Sequence, residues 1–159
     1  MAENVEQPSE GTGMEAVEPL DGLLCFAIYS TGFAFNRVYK PLLEKLGLTY
    51  PQYLVVALLQ NHEDRTVGEL GDQLFLESST LTPLVKRLET GGIVTRRRDG
   101  TDERVVRVSL TEKGRGIAQE AACLPEQILE ATGLSADELQ AMQQRLSALR
   151  STLRAAGQG

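Results

Sequence analysis

The apolar residues from Leu20 to Val38 recur at steps of three and four, a spacing that predicts one face of a long helix. Pro41 follows them, and a residue that precedes a proline is disfavoured in the helical conformation. We therefore expect this helix to stop or kink near Tyr39. The helical period returns over 53–60, which predicts a short buried helix after the turn marked by Pro51.

Two helices with a short connection are predicted next. Thr66 and Glu69 have the spacing of a capping box, in which the threonine hydroxyl and the glutamate side chain satisfy backbone groups at a helix start. We expect this helix to end at a turn through 75–77 and a second helix to follow over about 78–90. Pro83 must lie near the first turn of that second helix or kink it.

After the second helix the apolar period falls from helical to two. The runs 93–96 and 105–110 predict two strands, joined by a polar tip that contains Asp99-Gly100. The order of helix, turn, helix and hairpin predicts a winged helix-turn-helix over about 51–110, with the hairpin 93–110 as the wing. The fold class is therefore mainly α with a small β-hairpin.

The C-terminal third is predicted to be helical. A helix starts at Thr111, is interrupted by Pro125 and ends near Gly133, and Ser135 and Glu138 form another capping box. Apolar residues then step by three and four, a seam more suited to a partner helix than to a lone surface. The seam consists of Leu139, Met142, Leu146, Leu149 and Leu153.

A formal net charge of −6 argues against nucleic-acid binding, because phosphate contacts need a basic surface. The distribution of the charge changes this picture. Residues 1–21 hold six acids and no base, so 22–159 hold 16 bases against 16 acids, and 80–115 holds nine bases against five acids. The acidic excess therefore belongs to residues 1–21. Within them 1–19 is rich in Glu, Gly, Ser and Pro, and we predict it to be a disordered tail.

The basic centre coincides with the predicted helix-turn-helix. When Leu81, Leu84 and Leu88 face the core, the opposite face of the helix is polar. That face carries Ser78, Ser79, Thr80, Thr82, Lys86 and Arg87. Small hydroxyl groups at a helix N-terminus approach phosphates and base edges closely.

The wing adds arginines on a tip that can enter an adjacent minor groove. They are Arg96, Arg97, Arg98 and Arg104. We include Asp102 in this surface and expect it to pair with an arginine and hold the wing's shape rather than touch DNA. A basic run by itself more often only solvates a hairpin, but its position directly behind a helix-turn-helix pattern favours nucleic-acid binding.

This region resembles the MarR family of bacterial winged-helix repressors. The segments that carry the resemblance are Leu-Thr-Pro-Leu-Val-Lys-Arg-Leu-Glu at 81–89, Gly-Ile-Val-Thr-Arg at 92–96 and Asp-Glu-Arg-Val-Val-Arg-Val-Ser-Leu-Thr at 102–111. The resemblance covers roughly 20–155, within a domain we place at 20–159. It implies a homodimer with interleaved dimerisation helices, about 20–46 and 111–156, and two wings that grip a pseudo-palindromic operator in double-stranded DNA.

Cys25 and Tyr29 lie one turn apart, so on a helix they share a face and the phenol can reach the sulfur. Tyr39 lies on roughly the same face but about 21 Å further along the axis, where only the Tyr39 of a partner in an antiparallel dimer reaches Cys25. A lone cysteine on an apolar helix face is usually a core residue, and no Lys, Arg or His lies beside Cys25 to favour a thiolate. The residues alone leave both roles open.

A narrower resemblance favours the sensing role. The segments 24–29, 39–43 and 48–54 are similar to the organic-hydroperoxide-sensing, OhrR-like branch of the family. This resemblance implies that Cys25 is the peroxide-sensing thiol, that Tyr29 and Tyr39 donate hydrogen bonds to it, and that Tyr50 is a further tyrosine of the cluster. It also implies that a peroxidase gene is the repressed target.

The second cysteine leaves the fate of the oxidised sensor open. Cys123 is the only other thiol that could form a disulfide with a sulfenic acid at Cys25. In relatives with a resolving cysteine in this helix, that cysteine usually follows the Pro-Glu-Gln segment, whereas Cys123 precedes Pro125. A mixed disulfide with a small external thiol is the other route.

Two further functions remain as alternatives. One is a MarR-type repressor that is relieved by a small phenolic or aromatic ligand, with Cys25 a passive core residue. The other is a thiol peroxidase, against which the helix-turn-helix argues, so we predict that the chain is not an enzyme.

Simple features of the sequence bound the setting. Two distant cysteines and one histidine, His62, give no zinc spacing, and we expect no metal or cofactor. The N-terminus has no signal-peptide pattern and the longest apolar run, 53–59, is too short to span a membrane, so we expect a bacterial cytoplasmic protein with no membrane partner.

Overall fold

The computed structural model describes residue 20 and residues 22–157, so the tail predicted over 1–19 lies outside the described residues. The described residues fall into two units, with the boundary between Ala34 and Phe35. The described helices are α1 (Leu24–Lys45), α2 (Tyr50–Asn61), α3 (Val67–Leu74), α4 (Ser78–Thr90), α5 (Glu112–Ala121), α6 (Leu124–Thr132) and α7 (Ala136–Ala156). The strands are β1 (Arg65–Thr66), β2 (Val94–Arg98) and β3 (Val106–Leu110).

Helix α1 continues through Pro41 to Lys45, so of the two predicted outcomes near Tyr39, a stop or a kink, the stop is wrong and the kink stays a prediction. A proline inside a helix removes one backbone hydrogen bond and costs about 3 kcal/mol. The residues that follow it supply the compensation, because Leu43 is only 2% exposed and Leu42 and Leu46 pack against the core. Burying one leucine side chain contributes about 1.5–3 kcal/mol, so Leu43 together with the partly buried Leu42 and Leu46 offsets the cost of the proline.

The two helices of the helix-turn-helix, α3 and α4, lie where they were predicted. The capping box at the start of α3 is formed, since Glu69 N donates to Thr66 Oγ1 at 3.1 Å and Thr66 N donates to Glu69 Oε2 at 2.7 Å. These bonds lower the pKa of Glu69, chiefly because its carboxylate accepts from the Thr66 backbone. Helix α4 occupies the predicted range 78–90, with Pro83 inside it just past the first turn.

The wing is antiparallel, with Arg96 opposite Val108 in the pairing of β2 with β3. The short strand β1 joins the other edge of β3, which gives the order β1-β3-β2 and was not predicted. Two residues are too few to produce an alternating pattern, so the sequence carries no signal for β1. Because β1 runs directly into α3, it ties the helix-turn-helix to the wing.

The core lies between α2, the helix-turn-helix and the inner face of the sheet. Its largest fully buried side chains are Leu43, Val55, Val56, Leu59, Leu70, Leu81, Val85, Leu88, Val94 and Val108. Helix α5 closes one side at very short range: a Cβ on Gly114 would lie 2.1 Å from the Ile93 carbonyl oxygen. This contact fixes the start of α5 on the first residue of the wing.

The C-terminal helices break where predicted, before Pro125 and at Gly133, which adopts a left-handed conformation with φ 67°. Ser135 and Glu138 form the predicted capping box of α7. None of the residues of α7 is buried, and the seam residues Met142, Leu146 and Leu153 are exposed. Within the part of the chain that the structure describes, no helix combines the length and apolar character needed to cross a membrane.

Candidate nucleic-acid interface and cysteine–tyrosine region

Helix α4 presents the predicted polar face to solvent. Leu81, Val85 and Leu88 are at most 1% exposed and point into the core. The six residues predicted on the opposite face are all exposed: Ser78, Ser79, Thr80, Thr82, Lys86 and Arg87. The helix therefore has one face committed to packing and one face of hydroxyl and basic groups that is free to bind a ligand.

A groove of about 380 Å³ lies between the N-terminal ends of α3 and α4 and the wing. Ser78 and Thr82 of α4 line one side of it, and Arg96 and Arg104 of the wing line the other. The structure thus brings helix and wing residues of the predicted surface together in one concave site.

The wing arginines differ in what they bind, which the sequence did not reveal. Arg96 pairs with Glu89 of α4, with Nη2–Oε2 at 2.6 Å and Nε–Oε2 at 2.7 Å. The prediction that Arg96 lies on the protruding tip is therefore wrong. Arg96 is 27% exposed and fastens the wing to the end of α4.

Two more arginines contact groups of the chain itself. Arg97 Nη2 pairs with Asp64 Oδ2 at 2.6 Å, and Arg98 Nη1 donates to the Glu103 carbonyl at 3.3 Å. Arg104 is exposed, and its side chain makes no hydrogen bond or ion pair with any residue that the structure describes. Arg104 is thus the wing arginine most available to an external anion.

Asp99 at the wing tip, not Asp102, holds an arginine side chain. The Asp99 carboxylate accepts from Thr101 N at 2.8 Å and pairs with Arg107 Nε. Hydrogen bonds from the Thr101 hydroxyl and then from Arg107 hold the pKa of Asp99 well below its usual range. The expectation that Asp102 pairs with an arginine side chain is wrong: Asp102 Oδ1 accepts from the backbone N of Arg104 at 2.9 Å. Its short side chain reaches its neighbour's amide more readily than a guanidinium on the opposite strand.

Asp64 contacts side chains of both wing strands, a role that the sequence did not indicate. It follows α2 in a left-handed conformation, φ 63°, and accepts from Arg97 and from Ser109 Oγ at 3.2 Å. Arg107 Nη1 lies 3.5 Å from the same carboxylate. Asp64 thus ties both wing strands to the end of α2, a link across more than 30 residues with no local signature.

Tyr39 and Tyr50 lie together, and Tyr53 completes the set, which we call the tyrosine cluster. The ring centroids are 4.8 Å apart for Tyr39 and Tyr50, 5.8 Å for Tyr39 and Tyr53, and 6.2 Å for Tyr50 and Tyr53. Burial, and secondarily the neighbouring phenols, raises the pKa of Tyr39 to about 12. Burial also raises the pKa of Tyr50 and Tyr53, so all three are neutral hydrogen-bond donors near pH 7.

Tyr53 was not predicted as a member of this cluster. It lies three residues after Tyr50, a spacing at which two residues share a helix face, but the helix predicted over 53–60 did not include Tyr50, whereas α2 begins there.

Cys25 and Tyr29 lie in the N-terminal unit, on the first turns of α1, and both are exposed in the isolated chain. Tyr29 packs edge-on against Phe33, with ring centroids 4.7 Å apart. Cys25 and Cys123 are free thiols. Cys123 is the N-cap residue of α6, where Gln127 Nε2 lies 3.5 Å from its sulfur. The described residues contain no cluster of His, Cys, Asp and Glu suited to a metal ion.

Sequence comparisons identify relatives along most of the chain. The family model of the SarA/Rot transcriptional regulators matches residues 37–121. The HTH-type transcriptional regulator TtmR of Methylorubrum extorquens is 47% identical over 144 residues, which cover 91% of this chain and 74% of that protein. The organic hydroperoxide resistance transcriptional regulator of Bacillus subtilis is 44% identical over 134 residues, which cover 84% of this chain and 91% of that protein.

Solved structures share the fold. Reduced AbfR bound to DNA matches with a TM-score of 0.68 and 32% identity, over 83% of this chain and 90% of that one. A mutant MarR from E. coli in complex with operator DNA matches with a TM-score of 0.70 and 27% identity, over 79% and 92%.

The mainly helical fold with a β-hairpin wing is that of the MarR-type winged-helix proteins, as predicted, and β1 adds a third strand to the predicted hairpin. With a family model over more than half of its length and relatives above 40% identity, the chain belongs to the SarA/Rot family of MarR-type winged-helix transcriptional regulators and is a homologue of the B. subtilis organic hydroperoxide resistance regulator.

Proposed function

We propose that the chain is a dimeric repressor that senses organic hydroperoxides by oxidation of Cys25 and then releases its operator. The observation that carries the proposal is an exposed cysteine thiol in a chain 44% identical to a regulator named for organic hydroperoxide resistance. A regulator of this kind works in the bacterial cytoplasm, where its operator lies. The operator is double-stranded DNA upstream of a peroxidase gene.

DNA recognition is assigned to the exposed face of α4 and to the wing, within a winged helix over about 51–110. The hydroxyl groups of Ser78, Ser79, Thr80 and Thr82 lie on the first turns of α4, where the helix dipole favours phosphate. Lys86, Arg87 and Arg104 supply positive charge without carboxylate partners among the described residues. Arg104 is the residue that we assign to the minor groove.

Dimerisation is assigned to helices α1 and α7, within about 20–46 and 111–156. The apolar side chains that α7 exposes, Met142, Leu146 and Leu153, have the spacing of a helix–helix seam. The N-terminal part of α1 exposes Leu24, Ile28 and Phe33, among others. Patches of this kind mark protein interfaces, and the occupant we assign is a second copy of this chain.

The sensing step transfers one oxygen atom. The Cys25 thiolate attacks the outer oxygen of the hydroperoxide, an S–O bond forms as the O–O bond breaks, and the alkoxide leaves as the alcohol after taking a proton. Cysteine is oxidised by two electrons to sulfenic acid and the peroxide is reduced by two. Tyr29 and Tyr39 are assigned as hydrogen-bond donors to the sulfur, with Tyr50 supporting Tyr39 from 4.8 Å.

A second thiol then attacks the sulfenic sulfur, a disulfide forms and water leaves. Cys123 or a small external thiol supplies this second sulfur. Cys25 is exposed, so a small external thiol can approach it. Cys123 is exposed as well, so its thiol is also available for a disulfide.

The test is a DNA-shift titration of the purified full chain with cumene hydroperoxide, comparing the wild type with Cys25→Ser and Cys123→Ser. We expect the wild type to release its operator and Cys25→Ser to stay bound at every peroxide concentration. If Cys123→Ser releases only when a small thiol is added, Cys123 is the resolving residue. Release of Cys25→Ser at the wild-type peroxide concentration would refute the sensing role.

One structural feature favours the ligand-relieved alternative. A mainly apolar groove of about 350 Å³, lined by Leu43, Leu48, Tyr50 and Pro51 among others, is large enough for a small aromatic molecule. Under this alternative a phenolic probe such as 4-hydroxybenzoate releases the operator without peroxide, and Cys25→Ser behaves as the wild type.

A further inference from the structure

Helix α7 contacts an aromatic side chain of the helix-turn-helix. No residue of α7 is buried, yet two of its arginines lie over the ring of Phe75, in the turn between α3 and α4. The guanidinium carbon of Arg150 is 4.2 Å from the ring centroid and that of Arg154 is 4.9 Å away. Both distances are within the range of cation–π attraction, and two residues four apart on a helix share a face.

Phe75 has an unusual backbone conformation for its type. It is the C-cap of α3 with φ 56° and ψ 36°, the left-handed region that glycine and asparagine occupy most readily. The ring is 47% exposed, so burial in the core does not account for it. A bulky residue held in a disfavoured conformation indicates that its side chain has a use.

The turn that contains Phe75 leads directly to α4, the helix to which DNA recognition is assigned. The backbone N–H groups of Phe75 and Leu76 both bond to the Gly71 carbonyl, and Leu76 bonds at 3.0 Å. A Cβ on Gly71 would lie 2.9 Å from the Leu76 carbonyl oxygen, so the turn is tightly folded on α3. Helix α4 begins three residues after Phe75, so only Leu76 and Glu77 separate the backbone of Phe75 from the first turn of α4.

We propose that Phe75 is a positioning residue, through which Arg150 and Arg154 of α7 set the orientation of the N-terminal turn of α4. The inference rests on the proposed role of α4 in DNA binding. Because α7 also carries the proposed dimer seam, the same contact links the seam to the DNA-reading helix in each subunit.

Direct phosphate binding by the two arginines is the competing explanation of the same geometry. The groove that Arg154 borders is also lined by Asp72 and Glu77, and two carboxylates oppose the entry of a phosphate. The guanidinium groups lie over an aromatic ring rather than pointing into open solvent. Both observations favour positioning.

The experiment measures operator affinity by fluorescence anisotropy, using a labelled duplex that this protein selects from a random pool of about 30 base pairs. Phe75→Leu removes the aromatic face and keeps an apolar side chain, whereas Phe75→Tyr keeps the face. Arg150→Gln and Arg154→Gln are made together, and Arg145→Gln is the control on α7 for loss of charge alone. Thermal unfolding and sedimentation of each variant exclude unfolding or loss of the dimer as the cause.

We expect Phe75→Leu and the double arginine variant each to weaken operator binding about fivefold, as two cation–π contacts predict. Combining them is expected to give no further loss, Phe75→Tyr to bind like the wild type, and Arg145→Gln to change affinity less. The slope of affinity against salt concentration is expected to stay unchanged, because a lost phosphate contact would lower it by about 1.

Two results would overturn the inference while leaving the DNA-binding proposal intact: wild-type affinity of Phe75→Leu, or a reduced salt slope in the arginine variant alone. Failure of the wild type to select or bind any duplex would instead refute the proposed function, and this inference with it.

Discussion

Replacing Gly114 by alanine is expected to destabilise the protein, although alanine is the better helix former. Gly114 lies in the first turn of α5, where helix propensity alone favours alanine over glycine by up to about 1 kcal/mol. The structure opposes this gain, because the new Cβ would lie 2.1 Å from the Ile93 carbonyl oxygen and 3.1 Å from Leu110 Cδ2. The obstacle at the shorter distance is backbone, which cannot rotate away.

The magnitude follows from the shift required. An ordinary contact needs α5 and the start of the wing to separate by about 1 Å, which strains a closely packed junction. Overpacking of this kind costs about 1–3 kcal/mol, and the upper end applies where backbone meets backbone. After the gain in propensity, the free energy of unfolding falls by about 2 kcal/mol, which lowers the midpoint of thermal unfolding by about 4–8 °C.

The same helix offers a matched control. A Cβ on Gly116 would meet no atom within 4 Å, so Gly116→Ala is expected to raise the free energy of unfolding by up to about 1 kcal/mol. Thermal and urea unfolding are compared at one protein concentration, because stability of a dimer depends on concentration. A Gly114→Ala variant at least as stable as the wild type would refute the reasoning.

Four further outcomes are expected. Arg104→Ala weakens operator binding and lowers the salt slope by about 1 without changing thermal unfolding; an unchanged slope would remove Arg104 from the phosphate contacts. Because the pKa of Asp99 is lower in the folded state, its contribution to stability is present above about pH 4, the unfolded value, and is lost as the pH falls toward the folded value. The difference in stability between wild type and Asp99→Asn should therefore shrink in acid, and a difference independent of pH would contradict this. Tyr53→Phe lowers the pKa of Tyr39 part of the way from about 12, since burial remains its largest cause; tyrosinate absorbance during alkaline titration measures this, and an unmoved titration would exclude coupling within the cluster. Leu146→Glu gives monomers by sedimentation with the helical circular dichroism retained, whereas a persisting dimer would show that the seam on α7 is misassigned.

Local chemistry explains which elements the sequence predicted. Capping boxes at Thr66 and Ser135 involve residues three apart, so their geometry is written in adjacent sequence and the structure confirms both. The apolar period predicted α4 to its residue bounds for the same reason. The stop expected before Pro41 is absent because the burial of Leu43, a tertiary effect, outweighs a local preference.

The sequence predicted which residues of α4 lie on the candidate interface, but not which ion pairs the wing arginines form. Periodicity places hydroxyl and basic residues on the outer face of α4, but it cannot say which arginine finds a carboxylate. Asp64 reaches Arg97 and Arg107 across 33 and 43 residues, a pairing that depends on the fold alone. The exchange of roles between Asp99 and Asp102 has the same origin, since hairpin register decides which carboxylate faces Arg107.

These internal pairs change the charge argument. Of the four arginines predicted on the wing surface, Arg96 and Arg97 are neutralised by Glu89 and Asp64, so the basic surface offered to DNA is smaller than the sequence count. Each neutralised arginine removes one candidate phosphate contact, and non-specific affinity falls accordingly. A winged helix that binds DNA weakly gains most from a second winged helix held at fixed spacing, because the second contact with DNA then forms at high effective concentration. Under the proposed function, a small shift between the two winged helices of the dimer costs a large part of the affinity.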